Sequence, residues 1–210
     1  NHYSIREHFR NIIMSTLETN LIQPATGTAL QVGASGDTIT VPSGATFNVA
    51  GTLQSGGNAV ANTAEFLAYR GSSSQTGIAD NTWTKAQINS ESYDPDGVYD
   101  NSTNYRFVAP SAGKYMLYTN ISPYDSSTDI ETYELAFYKN GSIYSQAYWQ
   151  KNSGNRLKYA HLSLTQVANL SSSDYIEVYV KINTVDGGTT DIEWQSGVIQ
   201  NYFGGYKLIT

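Results

Sequence analysis

The stretch Tyr175–Ile182 constrains the fold of this chain more than any other. β-Branched apolar residues occupy every second position of it: Ile176, Val178, Val180 and Ile182. Tyr, Glu, Tyr and Lys fill the positions beside them. Because successive side chains of a β-strand point to opposite faces of the sheet, this period of two predicts a strand with one buried and one solvent-facing side.

The composition agrees with a chain made of strands and turns. There are 17 Tyr and 18 Gly among 210 residues but only two Met, and Ser, Thr and Asn are frequent. Hydrophobic residues make up 40% and charged residues 14%, which suits a chain with a real core. Roughly eight to ten alternating segments, separated by turns, predict an all-β jelly roll or sandwich.

Several of these segments are joined by recognisable turns. Asn140-Gly141 lies between two apolar runs and is the two-residue signal of a type I′ hairpin. The stretch Arg106–Tyr118 predicts strand, turn and strand, with its turn at residues 110–113. Further predicted elements are the loops Gly71–Asn81 and Val185–Asp191 and the strands Leu157–Val167 and Ile192–Val198.

Four segments, in their order along the chain, carry a family resemblance. At the centre, Phe107, Gly113 and Tyr115 form the pattern of an aromatic residue, five residues, Gly, one residue and Tyr. The other segments are Ala64–Arg70, Leu135–Gly141 with its closing Lys-Asn-Gly, and Tyr202–Leu208 with Phe-x-Gly-x-x-Leu. Together they resemble the globular head of complement's first component, subcomponent q, and its relatives of the tumour necrosis factor kind.

This resemblance implies a jelly-roll head that assembles as a homotrimer. It covers residues 64–210. Leu117 and Thr119 stand where the family has aromatic residues. These departures weaken the kinship with the complement proteins themselves more than they weaken the implied fold.

A short repeat of alternating residues precedes the head. Three apolar-polar-apolar triplets, at residues 30–32, 39–41 and 47–49, are separated by turns that contain Gly. Each triplet is too short to bury an apolar face alone, so we expect three chains to wind together and bury one stripe on the three-fold axis. The stripe residues are Leu30, Val32, Ile39, Val41, Phe47 and Val49. The repeat resembles bacteriophage fibre shafts; the alternative is a flexible linker.

Changes in composition divide the chain into three predicted parts. These are an attachment tail at residues 1–20, a short trimeric β-shaft at 21–57 and the jelly-roll head at 58–210, with a Gly-rich joint near residue 57. Residues 1–13 either precede a natural start at Met14 or form a docking tail. The spacing of His2 and His8 fits no usual metal-ligand pattern, and a solvated tail explains both better.

Charge and cysteine content exclude several classes of protein. A net charge of −6 argues against nucleic-acid binding, because phosphate neutralisation needs a basic surface. The chain has no Cys, which removes disulfides, thiolate metal sites and cysteine nucleophiles. The sequence shows neither an apolar run long enough for a membrane span nor a signal peptide, so we expect no membrane insertion.

Titratable residues give little support for catalysis. His161 lies in the alternating run Tyr159–Leu164, where a structural role is the ordinary one. Paired carboxylates could serve a glycosidase, but both acidic groups lie in polar loops and are expected to be solvated turns. These groups are Asp94, Asp96 and Asp100, and Asp125, Asp129 and Glu131. We therefore predict neither an enzyme nor a cofactor.

The first acidic group is also a weak calcium candidate. Asp94, Asp96 and Asp100 place hard oxygen donors around Gly97, which suits that ion. Tyr105, however, stands where the usual twelve-residue calcium loop has its closing acid. We predict no metal site here.

Aromatic side chains remain as the binding candidates. Tyr and Trp offer a large, stiff and half-polar contact area at small entropic cost. The candidates are Tyr124, Trp149, Trp194, Tyr144 and Tyr148, with Tyr175 and Tyr179 as further ones. Several of them could instead pack between subunits. Polar loops that could present a glycan-binding surface are Ser72–Asn81, Asp125–Asp129, Lys151–Asn155 and Val185–Asp191.

Three functional hypotheses follow. The first is a homotrimeric structural protein on the surface of a tailed bacteriophage virion: a tail fibre, head fibre or capsid decoration protein. Its tail would bind other virion proteins, and its head would contact a host glycan or protein. The second is a secreted signalling or recognition ligand with the same head, disfavoured by the absence of a collagen-like stalk. The third and weakest is a polysaccharide depolymerase.

Overall fold

The computed structural model describes residues 27–51, 53–55, 58–59, 64–125, 129–151 and 157–208. The predicted tail, with His2 and His8, lies outside these ranges, as do residues 21–26 of the predicted shaft. The chain forms two compact units, Asn1–Ala50 and Gly51–Thr210. In the described ranges no helix could cross a membrane.

The described part of the second unit consists of strands and their connections. The strands are β1 (Gln54–Ser55), β2 (Asn58–Ala59), β3 (Glu65–Tyr69), β4 (Gln75–Ile78), β5 (Thr84–Lys85), β6 (Ser90–Tyr93), β7 (Tyr99–Asp100), β8 (Arg106–Val108), β9 (Gly113–Ile121), β10 (Pro123–Tyr124), β11 (Ile130–Lys139), β12 (Ser142–Gln150), β13 (Leu162–Leu170), β14 (Tyr175–Thr184), β15 (Thr190–Ile192) and β16 (Tyr202–Lys207).

Two antiparallel sheets form the body of this unit. The six-stranded sheet has the order β12-β11-β14-β8-β7, with β5 also paired to β14. The five-stranded sheet has the order β13-β9-β16-β3-β6. A smaller sheet, β10-β15-β4, and the hairpin β1-β2 complete the strand pairings.

The pairing of the long strands identifies a jelly roll. Strand β3 comes first in the chain among the strands of the two sheets, and it pairs with β16, which comes last. Strand β8 pairs with β14. Further in, β9 pairs with β13, and the adjacent strands β11 and β12 form the central hairpin. A long antiparallel hairpin that is rolled into two sheets gives this nested pairing, which is the jelly-roll topology. The predicted all-β jelly-roll head is therefore confirmed.

Strand β14 shows why the sequence folds in this way. Its apolar positions face the interior and are at most 1% exposed: Ile176, Val178, Val180 and Ile182. The strand is bonded to β11 on one side and to β8 and β5 on the other, so it lies inside the six-stranded sheet. The predicted period of two is confirmed.

An aromatic cluster fills the space between the two sheets. Phe66 of β3 stacks against Tyr99 of β7 and Phe107 of β8, with ring centroids 5.2 and 5.1 Å apart and planes within 8°. Phe203 of β16 meets Phe66 edge-on at 4.9 Å and tilts against Phe137 of β11 at 5.5 Å. These rings join both sheets, because β3 and β16 belong to one and β7, β8 and β11 to the other.

The central motif of the sequence lies next to this cluster. Phe107 and Tyr115 are 1% and 0% exposed, and their ring centroids are 5.4 Å apart. Tyr115 Oη donates a hydrogen bond to the carbonyl of Ser111 at 2.7 Å, which closes the predicted turn. Gly113 has φ of 154°, and a Cβ there would lie 2.7 Å from Cε of Lys207. The Gly of the motif thus leaves room for the side chain of Lys207, on the last strand.

The turn at Asn140-Gly141 connects β11 to β12 as predicted. Both residues have positive φ, 50° and 81°, which a type I′ turn requires. Asp174, at the start of β14, holds this turn: it accepts a hydrogen bond from Asn140 Nδ2 at 2.8 Å and pairs with Lys139 Nζ at 2.9 Å. Hydrogen bonds from Lys139, Asn140 and the backbone of Ser171 lower the pKa of Asp174 from 3.8 to about 2.

Four element predictions need correction. The segment Gly71–Asn81 contains the strand β4, and β13 begins at Leu162 instead of Leu157. The predicted loop Val185–Asp191 ends earlier, because β15 begins at Thr190. The predicted strand Ile192–Val198 ends at Ile192, because the backbone N–H of Trp194 donates to Ser74 Oγ and that of Val198 donates to the carbonyl of Gln195. Gly197, with φ of 75°, completes this turn.

Residues 27–50 contain turns where the sequence predicts them. Asp37 N–H donates to the carbonyl of Ala34, and Ala45 N–H donates to that of Pro42. The three triplets between the turns do not form strands within one chain. Their apolar side chains are 37–67% exposed: Leu30, Val32, Ile39, Val41, Phe47 and Val49. The trimeric shaft stays a prediction.

Replacing Phe66 with Ala should destabilise the head strongly. The residue is fully buried and contacts the rings of Tyr99, Phe107 and Phe203, so the loss is expected to reach about 3–5 kcal/mol in chemical denaturation. Tyr148→Ala, at a side chain 54% exposed, is the matched aromatic control and should change stability by about 0.5 kcal/mol or less. Equal losses in both variants would contradict the assignment of Phe66 to the core.

Asp174→Asn should destabilise the protein in a pH-dependent way. Because the folded pKa of Asp174 lies below its ordinary value of 3.8, its contribution is present above that pH and is lost as the pH falls to about 2. The difference in thermal midpoint between wild type and variant should therefore shrink between roughly pH 5 and pH 2. A difference in thermal midpoint that stays constant over this range would contradict the role of Asp174 in holding the turn.

Candidate functional site

The outer face of the six-stranded sheet is charged and internally paired. Glu177 is 5% exposed and pairs with Lys85 at 2.5 Å, while Lys181 pairs with Glu134 at 3.1 Å. Tyr179, between the two pairs on β14, stacks on Tyr138 at 4.0 Å. The charges of these two pairs are thus satisfied within one chain, and the rings of Tyr179 and Tyr138 cover each other, whereas Tyr148, opposite Glu134 on the same face, is 54% exposed.

The outer face of the five-stranded sheet is different, and we call it the tyrosine face. Its side chains form rows across the strands, since residues that pair directly lie on the same face. One row consists of Ser163, Asn120, Tyr202, Tyr69 and Ser90, and the next of Thr165, Tyr118, Gly204, Leu67 and Tyr93. A third row holds Val167, Met116, Tyr206 and Glu65. Every residue of the first two rows is uncharged.

Gly204 explains how the middle row packs. A Cβ at this position would lie 2.6 Å from the ring of Tyr118, so the ring lies directly across the glycine. Tyr118 also contacts Tyr202 at 6.2 Å between ring centroids. Burial, followed by its hydrogen bond with Tyr93, raises the pKa of Tyr118. These contacts hold the ring of Tyr118 in place between its neighbours.

Part of this face is apolar and open. Tyr93, Val167 and Tyr206 are 42%, 41% and 37% exposed. Tyrosine and apolar residues without charge are typical of the central part of a protein–protein interface. The arrangement can bury a flat partner surface without separating ion pairs.

A pocket of about 380 Å³ opens at the end of the first row. Its lining residues come from the strands β3 and β6 and from the loops that follow β3 and β15: Tyr69, Gly71, Ser72, Ser90, Trp194, Gln195, Gly197, Val198 and Ile199. None of these side chains carries a charge. Trp194, 36% exposed, provides an aromatic wall.

Both loops of the pocket are fixed by buried polar side chains. Arg70, 8% exposed, donates through Nε to the carbonyl of Ser73 at 2.6 Å and through Nη1 to that of Gln87 at 2.7 Å. Burial lowers the pKa of Arg70. On the other side, Asn201, 1% exposed, donates through Nδ2 to the carbonyl of Glu193 at 2.7 Å. The pocket is thus built before any ligand arrives.

The other predicted binding residues lie elsewhere. Tyr144 and Tyr148 are 40% and 54% exposed on the edge strand β12. Trp149 is partly buried against the core, and Tyr124 stacks on Tyr159 at 4.5 Å. Of the five predicted residues, Trp194 alone lines the pocket.

The predicted acidic groups serve the local backbone. Asp94 accepts hydrogen bonds from the backbone N–H groups of Val98 and Tyr99, and Asp96 accepts one from Ala64. Asp100 accepts from the backbone of residues 102–104, and these bonds lower its pKa. In the described ranges no three acidic or His side chains are grouped to hold a metal.

In the second acidic group, Glu131 accepts a hydrogen bond from Asn183 Nδ2 at 2.8 Å. Asp125 is 2% exposed. Residues 126–128, between Asp125 and Asp129, and residues 152–155 of the predicted loop after Lys151 lie outside the described ranges.

His161 has a partner that the sequence did not indicate. Its Nδ1 lies 2.6 Å from Oγ of Ser122, which is 2% exposed. Ser122 N–H in turn donates to Asn201 Oδ1 at 2.6 Å. A serine buried in this way cannot meet a substrate, so the pair is structural, as the position of His161 in an alternating run predicts.

Sequence reasoning missed the tyrosine face and most of the pocket. A signal for the face was present in the alternation of β3 and β16: Tyr202 and Tyr206 have the phase opposite to the buried Phe203, and Leu67 and Tyr69 the phase opposite to Phe66. The pocket had no such signal, because its two loops are more than 100 residues apart in the sequence.

No protein-family model matches the chain, and no curated protein matches it either. Among solved structures it is similar to the structure of Eiger TNF from S. frugiperda, with 14% sequence identity and a TM-score of 0.46. The similarity covers 70% of this chain and 92% of that one. The jelly-roll assignment made above comes from the strand pairing of the chain itself.

Proposed function

We propose that the chain is a homotrimeric structural protein on the surface of a tailed bacteriophage virion, a fibre or decoration protein. In this proposal the residues before the head attach it to other virion proteins, and the jelly-roll head contacts a glycan on the host surface. The observation that carries the proposal is the exposed, periodic apolar stripe of residues 30–49, followed by a compact β-head.

The stripe supports assembly because a single chain leaves it uncovered. Covering its six apolar side chains, at about 1.5–3 kcal/mol for each large one, would contribute on the order of 10 kcal/mol per chain. Winding three chains together would also give the triplets the partner strands that they lack within one chain. Short Gly-punctuated triplets of this kind resemble the shafts of phage fibres.

The tyrosine face supports assembly of the head. Its exposed members are Tyr93, Val167 and Tyr206, and its first two rows hold no charge. The opposite sheet is less suited to the role, because a partner would have to cover the ion pairs Lys85–Glu177 and Lys181–Glu134. We therefore assign the subunit contact of the head to the tyrosine face.

A non-enzymatic role agrees with the positions of the carboxylates. Asp94, Asp96 and Asp100 bind loop backbone, and Glu131 binds Asn183. A glycosidase needs two carboxyl groups that face each other across a substrate. A depolymerase therefore has no support from these residues.

The mass of the assembled protein, measured for wild type and for single variants, tests the proposed trimer and its contact surface. The full chain should have the mass of a trimer at micromolar concentration in native mass spectrometry. Val167→Glu should dissociate the trimer or weaken it, because it would bury an unpaired charge in the tyrosine face. Val185→Glu introduces the same change at a loop residue that is 60% exposed, and it should leave the trimer intact.

A wild-type chain with the mass of a monomer would contradict the proposed trimer. If the wild type is a trimer and Val167→Glu weakens it no more than Val185→Glu does, the head assembles through another surface.

Particle attachment tests the biological role. A fragment that begins near residue 51, at the boundary of the second unit, should fold but fail to decorate phage particles, because the attachment segment is missing. Attachment by this fragment would refute the proposal that the residues before the head bind the virion. A full chain that binds animal cell-surface receptors and no virion protein would favour the secreted-ligand alternative.

A further inference from the structure

We propose that the pocket between the loops after β3 and β15 binds one neutral pyranose ring of a saccharide. The ring would lie against Trp194, with its hydroxyl groups near Ser72, Ser90 and Gln195. This inference deepens the glycan contact of the proposed function and rests on it for the biological setting alone, since the pocket is formed within one chain.

The size of the pocket fits a small ligand. Its volume of about 380 Å³ is near the lower end of ligand pockets, which span roughly 300–1,000 Å³. A ligand the size of one or two sugar rings is therefore appropriate, and a folded partner domain is not.

The lining of the pocket favours a neutral ligand that is apolar on one side and rich in hydroxyl groups on the other. Trp194, Val198 and Ile199 are 36%, 47% and 45% exposed and offer apolar contact. Hydroxyl and amide groups of Ser72, Ser90 and Gln195 can both donate and accept hydrogen bonds, as sugar hydroxyls do. Without a charged lining residue, a carboxylate or an amine would lose its hydration and gain no partner.

Backbone features of the first loop keep the pocket open. Gly71 has no Cβ, and a Cβ there would lie 2.1 Å from Oγ of Ser90 and 3.3 Å from the ring of Tyr69. Ser72 has φ of 67°, an uncommon value for a residue with a side chain. Strained backbone of this kind persists where the surrounding structure holds it and is often found at binding sites. Here the guanidinium of Arg70 holds the loop through Ser73.

Trp194 is positioned by the second loop. Its backbone N–H donates to Oγ of Ser74 at 2.9 Å, which ties the two loops together. The carbonyl of Glu193 accepts hydrogen bonds from Gln200 and from the buried Asn201. A wall that is fixed before binding loses little conformational entropy when a ligand stacks on it.

The test is saturation-transfer NMR on the full-length chain with maltose, cellobiose, lactose and chitobiose as neutral probes and glucuronate as the charged comparison. At least one neutral probe should bind, and glucuronate should bind more weakly. Trp194→Ala should weaken the bound probe at least about tenfold, the factor that 1.4 kcal/mol represents. Gly71→Ala should weaken it as well, because the new methyl group would displace the side chain of Ser90, which lines the pocket.

Ile143→Ala is the control, since it shortens an exposed apolar side chain on the strand β12, outside the pocket lining, and should leave binding unchanged. Binding that is lost in Ile143→Ala and kept in Trp194→Ala would overturn the proposal. So would the absence of binding by all four neutral probes, or a preference for glucuronate. Unfolding is monitored by the thermal midpoint of each variant, and Gly71→Ala keeps Trp194 itself in place.

The outcome is separable from that of the proposed function. A monomeric chain that binds a neutral sugar through Trp194 would refute the trimer and leave the pocket assignment standing. A trimer that attaches to particles but binds none of the neutral probes would refute the pocket assignment and leave a decoration role.

Discussion

The contact on which the rest of the head depends is the stack of Phe66 between Tyr99 and Phe107. It joins the two sheets face to face, and Phe203 closes it from the last strand. Because Phe203 lies on β16, far from β3 in the sequence, the complete cluster forms only when this last strand has paired with β3. Gly205 permits it: a Cβ at this position would lie 2.9 Å from the carbonyl of Met116 and 3.2 Å from the ring of Phe66.

Consequences for function follow from how each sheet uses its outer face. The six-stranded sheet carries two ion pairs on its outer face, which a partner surface would have to cover. The five-stranded sheet instead presents several tyrosines, of which Tyr118 lies across Gly204 and Tyr93 and Tyr206 are partly open to solvent. The same strand alternation that buries Phe66 and Phe203 thus places Leu67, Tyr69, Tyr202 and Tyr206 on the outside. The buried core and the candidate interface are therefore the two faces of the same strands.

Local patterns predicted much of the fold and little of the site. The alternation in β14, the Asn140-Gly141 turn and the Phe107-Gly113-Tyr115 motif were correct because each depends on neighbouring residues. The segment after Ile192 has strand-like residues, but the backbone N–H of Trp194 donates to the side chain of Ser74, 120 residues away, and the segment forms a loop. The pocket depends on that long-range contact and on the buried Arg70, neither of which leaves a periodic trace in the sequence.

The central claim, that the tyrosine face is covered in the assembled protein, can be measured by hydroxyl-radical footprinting of the intact chain. Tyr93 and Tyr206 are 42% and 37% exposed within one chain, close to the 40% of Tyr144 on the opposite sheet. If the face is an interface, oxidation of Tyr93 and Tyr206 should be suppressed relative to Tyr144. Oxidation of all three in proportion to their exposure in a single chain would contradict the account.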